Sequence, residues 1–196
     1  PPRSDPPSFA RPRLVLSRCL ELDTCRYDGA SVRAPVVRRL AAHVELVPIC
    51  PEMAVGLGVP REPIRLVRRG GGTALVQPAT GRDLTEPMHD FASRYLRELP
   101  EVDGFLLKAR SPSCGIHGVK VFLGETAAIP AGRDAGKFAA VVLGSFPDHP
   151  VEHEGRLTNP RLLDDFLTGL FIIADVRRAR HQNGSATGLV DLHSRH

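Results

Sequence analysis

The chain has 196 residues, of which 42% are hydrophobic and 24% are charged, values that are ordinary for a globular protein. No apolar run of about 18 residues is present, so the sequence predicts no membrane-spanning helix. The formal net charge of +4 fits either a solvated basic surface or an anionic partner such as RNA. With two tyrosines and no tryptophan, the chain has little aromatic material for broad binding of single-stranded nucleic acid.

The N-terminus is rich in proline and arginine and lacks the apolar core of a secretory signal. Four cysteines without such a signal indicate a reducing, cytoplasmic compartment, where cysteines more often serve metal binding or catalysis than disulfides. We predict three parts: a disordered tail at residues 1–12, an α/β domain at 13–180, and a linker with the start of a truncated helical domain at 181–196.

Short apolar runs alternate with helical patterns along the chain. The predicted elements are a strand at 13–17, a helix at 32–43, a strand at 44–49, a hairpin at 64–67 and 73–77, a helix at 85–99 with Thr85 as its N-cap, strands at 102–108 and 119–123, a helix at 134–146, an extended piece at 150–154, and a helix at 160–179. This alternation predicts a three-layer α/β fold with one mainly parallel, Rossmann-like sheet. In such sheets ligands bind beyond the carboxyl ends of the strands.

Three cysteines each follow the end of a predicted core strand. They are Cys19, Cys50 and Cys114. Because the carboxyl ends of parallel strands share one edge of the sheet, we expect these three side chains to meet there. Cys25 lies further into a loop and is not constrained in this way.

Three chemistries remain open for these cysteines. Widely separated thiolates suit a cubane iron–sulfur cluster with one iron left open. Structural zinc sites usually use short pairs such as C-x2-C, and the closest spacing here, Cys19 to Cys25, leaves five residues between. Ordinary buried thiols are the third reading.

A set of segments in fixed order resembles the thiouracil and 4-thiouridine desulfidases. The segments are LSRCL (16–20), CRYDG (25–29), VPICPE (47–52), GVPREP (58–63), GRDLT (81–85), KARSPSCG (108–115), EGRL (154–157) and NP (159–160). The resemblance extends over about residues 14 to 171.

The resemblance implies an α/β fold that carries a [4Fe-4S] cluster at the carboxyl edge of the sheet, held by Cys19, Cys50 and Cys114. It further implies that the open fourth iron binds the sulfur of a thiolated pyrimidine, which water then replaces without net redox change. The implied catalytic residues are Glu52 and Ser111. From the residues alone, Glu52 could equally be a helix N-terminal charge and Ser111 a turn former.

Six polar residues near these motifs are candidate substrate contacts, each with a plainer reading as a turn or a surface salt bridge. They are Arg26, Tyr27, Asp28, Arg61, Lys108 and Arg110. The cationic ones could offset the negative charge of the cluster or contact phosphate.

The expected substrate is a thiolated pyrimidine base or nucleoside, or 4-thiouridine in tRNA. The final segment, LVDLHSRH (189–196), resembles the start of the helical domain of fused members, a fusion associated with tRNA. Two other functions remain open: a non-catalytic tRNA-binding module stabilised by zinc or a closed cluster, and a sulfur carrier that uses Cys114 as a nucleophile.

Overall fold

The computed structural model describes residues 9–182. Its strands are β1 (Arg13–Ser17), β2 (Glu45–Ile49), β3 (Arg65–Arg69), β4 (Gly72–Gln77), β5 (Arg82–Asp83), β6 (Gly104–Leu107), β7 (Val119–Phe122), β8 (Pro130–Asp134) and β9 (Val151–His153). Its helices are α1 (Pro35–Leu40), α2 (Pro51–Ala54), α3 (Thr85–Glu98), α4 (Lys137–Ser145) and α5 (Pro160–Gln182).

Four strands form a wholly parallel sheet in the order β2-β1-β6-β9. Ser17 at the end of β1 is in register with Ile49 at the end of β2, and Leu16 with Leu106 of β6. The carboxyl ends of these three strands therefore lie level at one edge. The alternation of residues along β1 buries both faces, because Leu14 and Leu16 face one core and Val15 faces the other.

The other five strands form a separate mixed sheet in the order β5-β4-β3-β7-β8. Of its pairings only β3 with β7 is parallel. The expectation of an α/β fold with a parallel sheet is confirmed, but a single mainly parallel sheet is wrong. The tight connection between β3 and β4 forces them to pair as an antiparallel hairpin, which recruits β7 and β8 instead of joining the parallel sheet.

Two hydrophobic cores cover the parallel sheet. One packs β1 and β6 against α1 and α5, through residues such as Val37 and Phe166. The other packs the opposite face against α3, α4 and the mixed sheet, through residues such as Met88, Phe138 and Leu66. The parallel sheet is thus covered on both sides, as its continuous apolar strands require.

Both ends of the described chain differ in detail from the expected divisions. Phe9 packs edge-on against Phe171 of α5, and the Ala10 amide donates to Asp175, so residues 9–12 lie against the domain. Helix α5 continues to Gln182, two residues into the expected linker. The expected helical start at 189–196 lies outside the described residues. Across residues 9–182, none of the helices has the length and apolar character needed to cross a bilayer.

Candidate active site

The carboxyl edge of the parallel sheet opens onto a cavity of about 480 Å³. All four cysteines line it, and none of them is in a disulfide. Cys50 directly follows β2, and Cys19 lies two residues beyond β1. The other lining residues are Ser17, Arg18, Arg26, Tyr27, Ile49, Pro51, Glu52, Arg61, Pro63, Ile64, Lys108, Ala109, Arg110, Ser111 and Pro112.

The turn that carries Cys114 is anchored to the N-terminus of α4. The amide of Lys137 donates to the Pro112 carbonyl and that of Ala139 to the Ser113 carbonyl, each at 3.0 Å. These are helix N-terminal amides that have no partner within the helix, so the turn satisfies them. A Cβ built at Gly136 would lie 2.5 Å from the Ser113 carbonyl oxygen, and the close approach therefore requires glycine.

Cys25 also lines the cavity, although its position within a loop did not predict this. The residue is 3% exposed, and its carbonyl accepts a hydrogen bond of 3.9 Å from the Cys50 thiol. Its carbonyl accepts a hydrogen bond of 3.0 Å from Arg61, which fixes the loop over the cavity. The cavity thus holds four thiols rather than the three expected.

Burial, followed by the neighbouring acidic groups, raises the pKa of three of these thiols. The pKa of Cys19 rises to about 11 and that of Cys25 to about 12, with Cys50 the second cause in each case. The pKa of Cys114 is also raised, mainly by burial. These three thiols are therefore protonated at neutral pH in the metal-free protein, and a metal that binds to any of them must displace its proton.

The distances between the sulfurs distinguish a site for a single zinc ion from a site for an iron–sulfur cluster. Zinc–sulfur bonds of about 2.3 Å in a tetrahedron place the sulfurs about 3.8 Å apart. Within residues 9–182, the one group of three potential ligand atoms that lie within 4.8 Å of one another is the exposed set Glu86, His89 and Asp90, so no three cysteine sulfurs are that close. Thiols that share a cavity but stand further apart fit a multinuclear iron–sulfur cluster better than one tetrahedral zinc.

The carboxylate of Glu52 lies at the cavity wall and is hydrogen-bonded on both oxygens. Its Oε2 accepts from Nε of Arg61 at 3.1 Å and also from Nη2. Its Oε1 accepts from the hydroxyls of Ser111 at 3.3 Å and Ser113 at 3.1 Å. The structure therefore brings together Glu52 and Ser111, the two residues that the resemblance implied are catalytic.

The polarity of the Ser111 hydroxyl follows from its other contacts. Its Oγ accepts hydrogen bonds from the amides of Ser113 and Cys114, at 3.2 and 3.1 Å. With its acceptor positions used by these amides, the hydroxyl proton points to Glu52. Ser111 is thus a turn former as well as a proton donor.

Lys108 is held by a carboxylate that the sequence did not single out as a site residue. Its Nζ lies 2.6 Å from Oε1 of Glu154, whose Oε2 accepts from the Ala109 amide at 2.8 Å. Since Glu154 directly follows β9, the fourth strand of the sheet also contributes to this edge. The ion pair places the ammonium beside Cys19. There its positive charge lowers the pKa of that thiol and so offsets part of the increase that burial causes.

Of the remaining candidate substrate contacts, Arg26, Tyr27 and Arg110 line the cavity, whereas Asp28 does not. Arg26 pairs with Asp28 and lies over the ring of the exposed Tyr27, with its guanidinium carbon 5.5 Å from the centroid. Arg110 is exposed and has a positive φ of 61°, a strained conformation for a residue other than glycine. It has no ion-pair partner in the described part of the chain, unlike Arg18, which pairs with Asp23.

Three side chains at the site were missed from the sequence: Ser17, Ser113 and Glu154. Ser17 is buried, accepts from the Lys108 amide at 2.9 Å and is hydrogen-bonded to the Cys114 thiol. Its position at the end of β1 could have predicted this, because the residues at and after the ends of β1, β2 and β6 line the cavity. No feature of the sequence predicted Ser113, since only the folded turn shows that its hydroxyl reaches Glu52.

Comparison with known proteins places this arrangement in a family. The model of the 2-thiouracil desulfurase family matches residues 14–154, which include all four cysteines, Glu52 and Ser111. The uncharacterized protein YbbK of Bacillus subtilis (strain 168) is 34% identical over 109 residues, which cover 52% of this chain and 72% of that protein.

One solved structure shares this fold over most of the chain. The [4Fe-4S]-dependent thiouracil desulfidase TudS aligns with a TM-score of 0.56 at 26% identity, covering 81% of this chain and 99% of that one. The family match spans well over half of the chain and includes the cavity. The chain therefore belongs to the 2-thiouracil desulfurase family of enzymes.

Proposed function

We propose that the protein is a [4Fe-4S]-dependent desulfidase that converts thiolated uracil to uracil, with 4-thiouridine in tRNA as its preferred substrate. The observation that carries the proposal is the meeting of Cys19, Cys50 and Cys114 with Glu52 and Ser111 on one cavity of about 480 Å³. The structural similarity to TudS, a [4Fe-4S]-dependent thiouracil desulfidase, supports the choice of cofactor. Among residues 9–182, no three cysteine sulfurs lie within 4.8 Å of one another, and this spacing supports a cluster over a single zinc ion independently.

The ligands in this proposal are Cys19, Cys50 and Cys114, which extend from the strand ends and from the turn anchored to α4. When bound, the cluster supplies a Lewis-acidic iron that binds soft thiocarbonyl sulfur and polarises the carbon–sulfur bond. Lys108 lies close enough to Cys19 to offset part of the negative charge of the thiolates. Cys25 remains a fourth thiol without an assigned role as a ligand.

Glu52 and Ser111 provide the proton transfers in this proposal. In the overall reaction water gives its oxygen to the ring carbon, the carbon–sulfur bond breaks, and the sulfur leaves as hydrogen sulfide. Glu52 is placed to accept a proton from the attacking water, and the Ser111 hydroxyl already points its proton at Glu52 Oε1. A positioned acid or base of this kind contributes about 10² to 10⁴ in rate.

The preference for tRNA rests on the charge at the mouth of the cavity. Arg18, Arg26 and Arg110 all line it, and phosphate is the natural partner of a guanidinium. Of these, Arg110 has no carboxylate partner among residues 9–182, so it can bind an anion without breaking an existing pair. A nucleotide within a polynucleotide presents phosphates on both sides of the base, whereas a free base presents none.

The test uses anaerobically reconstituted protein with iron and acid-labile sulfide measured in the same sample. We expect sulfide release from 4-thiouracil, from 4-thiouridine and from tRNA that contains it, fastest on tRNA. Glu52→Gln should keep its iron and lose about 10² to 10⁴ in rate, because the amide cannot accept the proton. Fully loaded protein that leaves all three substrates untouched would refute the proposal, and a preference for the free base would refute its tRNA part.

A further inference from the structure

Glu52 is held by two side chains that are themselves almost wholly enclosed by the protein. Arg61 donates to Oε2 and Ser113 donates to Oε1. The side chain of Arg61 is 4% exposed, and Ser113 is fully buried. Their contact with the chemistry therefore runs through Glu52.

Every nitrogen of the Arg61 guanidinium is already engaged within the protein. While Nε and Nη2 bind Glu52, Nη1 donates to the carbonyls of Gly58 at 2.7 Å and Cys25 at 3.0 Å. The backbone amide of Arg61 also donates to the Tyr27 carbonyl at 2.9 Å. Arg61 thus joins the catalytic carboxylate to the Cys25 loop and to its own loop, and four of its five guanidinium N–H groups are used in these bonds.

The two contacts determine which oxygen of Glu52 faces Ser111. The terminal torsion of a glutamate side chain is broad and intrinsically poorly fixed. Arg61 takes Oε2, and Ser113 gives Oε1 a second donor beside the Ser111 hydroxyl. The carboxylate is therefore presented to the cavity in one orientation.

We propose that Arg61 and Ser113 are positioning residues that hold Glu52 Oε1 against the Ser111 hydroxyl, a role that rests on the desulfidase function proposed above. This role replaces the expectation that Arg61 contacts the substrate. A small misplacement of a catalytic group is costly, because a shift of about 1 Å can reduce a rate about 10²-fold.

The kinetic test compares three variants of the cluster-loaded enzyme. Arg61→Lys keeps the charge but loses the fork of donors, and we expect kcat to fall about 10-fold to 100-fold with KM within about threefold. Ser113→Ala removes one donor and leaves the backbone contacts of the turn, so a fall in kcat of about 3-fold to 10-fold is expected. Arg69→Lys is the matched control: Arg69 also pairs with two carboxylates, Asp83 and Glu125, but on the mixed sheet, and its kinetics should not change.

A second measurement does not depend on turnover. In metal-free protein labelled with ¹³C at the glutamate carboxyl carbon, the Glu52 signal is assigned by its loss in Glu52→Gln. It should move in Arg61→Lys and Ser113→Ala and stay in place in Arg69→Lys. Added guanidinium should restore part of the kcat that Arg61→Ala loses, since it can occupy the vacated site.

The outcomes separate this proposal from the one it rests on. A raised KM with unchanged kcat in Arg61→Lys would make Arg61 a substrate-binding residue and overturn the positioning role. An unmoved Glu52 signal in both site variants would overturn it as well. If the wild-type enzyme releases no sulfide from any thiolated substrate, the proposed function fails, while the carboxyl signal still decides whether Arg61 and Ser113 orient Glu52.

Discussion

At the scale of single residues, Arg110 is the cation of the cavity lining that has no carboxylate partner among residues 9–182 and can bind an anion without breaking an ion pair. It is exposed and lines the cavity, whereas Arg18, Arg26 and Lys108 each pair with a carboxylate. Arg110→Ala should raise KM for tRNA about 5-fold to 100-fold, the effect of losing about 1–3 kcal/mol from one charged hydrogen bond. KM for free 4-thiouracil, which has no phosphate, should not change.

The control for Arg110 is Arg94→Ala, which removes an exposed arginine on α3 with the same loss of net charge. The salt dependence of tRNA binding gives a second measurement. Loss of a phosphate contact should lower the magnitude of the slope of log K against log salt by about one. Equal effects of the two arginine variants would indicate a general effect of net charge and contradict the assignment of Arg110.

The four thiols should differ in their importance for the cluster. Cys114→Ala removes one of the three proposed ligands and should abolish loading, whereas Cys25→Ala should retain iron and acid-labile sulfide close to the wild-type ratio. Cys25 lies beside Cys50 and lines the same cavity, so its position alone does not distinguish it from the proposed ligands. Only the measured iron content of the two variants does so. Equal loss of iron from both variants would make Cys25 a ligand too.

The raised thiol pKa values also give the metal-free protein a characteristic pH dependence. The folded values of about 11 for Cys19 and about 12 for Cys25 lie above the ordinary value of 9.0, so the unfolded chain releases these protons first. These two thiols therefore cause no loss of stability below about pH 9, and the folded state loses stability relative to the unfolded chain as the pH rises from there toward 12. The Tm of the metal-free protein should fall over this range, and less steeply in Cys25→Ala, which lacks one of these thiols.

At the scale of elements, the turn that carries Cys114 depends on its contact with α4. Gly136→Ala would place a methyl group 2.5 Å from the Ser113 carbonyl oxygen and push the turn and helix apart. Overpacking of this kind costs about 1–3 kcal/mol, and here it should also lower cluster loading. Gly144→Ala in the same helix has open space around its Cβ and should be neutral or slightly stabilising, by at most about 1 kcal/mol.

The elements also show what the sequence could and could not predict. The meeting of Cys19, Cys50 and Cys114 was predictable, because it needs only the ends of apolar strands and the rule that parallel strands share an edge. The place of Cys25 was not, since it depends on a bond from Arg61, 36 residues away along the chain. Ser113 was hidden for the same reason: its partner Glu52 is 61 residues distant.

Predictions of helix boundaries from local sequence were wrong where a residue bonds to a distant strand instead of capping or extending the helix. Thr85 was predicted as the N-cap of α3, but it lies inside the helix and its hydroxyl accepts from the Leu75 amide on β4 instead. The predicted helix at 134–146 begins at Lys137, because Asp134 ends β8. The residues of β8 have no alternating apolar pattern, and they form a strand only because β7 offers an edge to pair with.

At the scale of the whole molecule, a buried ion pair joins the long C-terminal helix to the sheet that carries the site. Asp103, fully buried before β6, binds Arg177 of α5 through both of its oxygens, each at 2.9 Å. It also accepts from the Arg13 amide at the start of β1. Asp103 thus connects two central strands and the helix that covers them.

Asp103→Ala should destabilise the whole fold without changing the chemistry of the cavity, because the variant leaves a guanidinium and a backbone amide without their acceptor. Breaking a buried pair from one side costs about 3–5 kcal/mol. At about 2–4 °C per kcal/mol for a domain of this size, Tm should fall by about 6–20 °C. Glu101→Gln, which alters the exposed partner of His181 on the same helix, should change Tm by less than about 2 °C.

Well below its Tm, Asp103→Ala should still load iron to the wild-type ratio, since the pair lies at the amino ends of the strands and the cysteines at the carboxyl ends. A loss of loading at low temperature would show that α5 also supports the site.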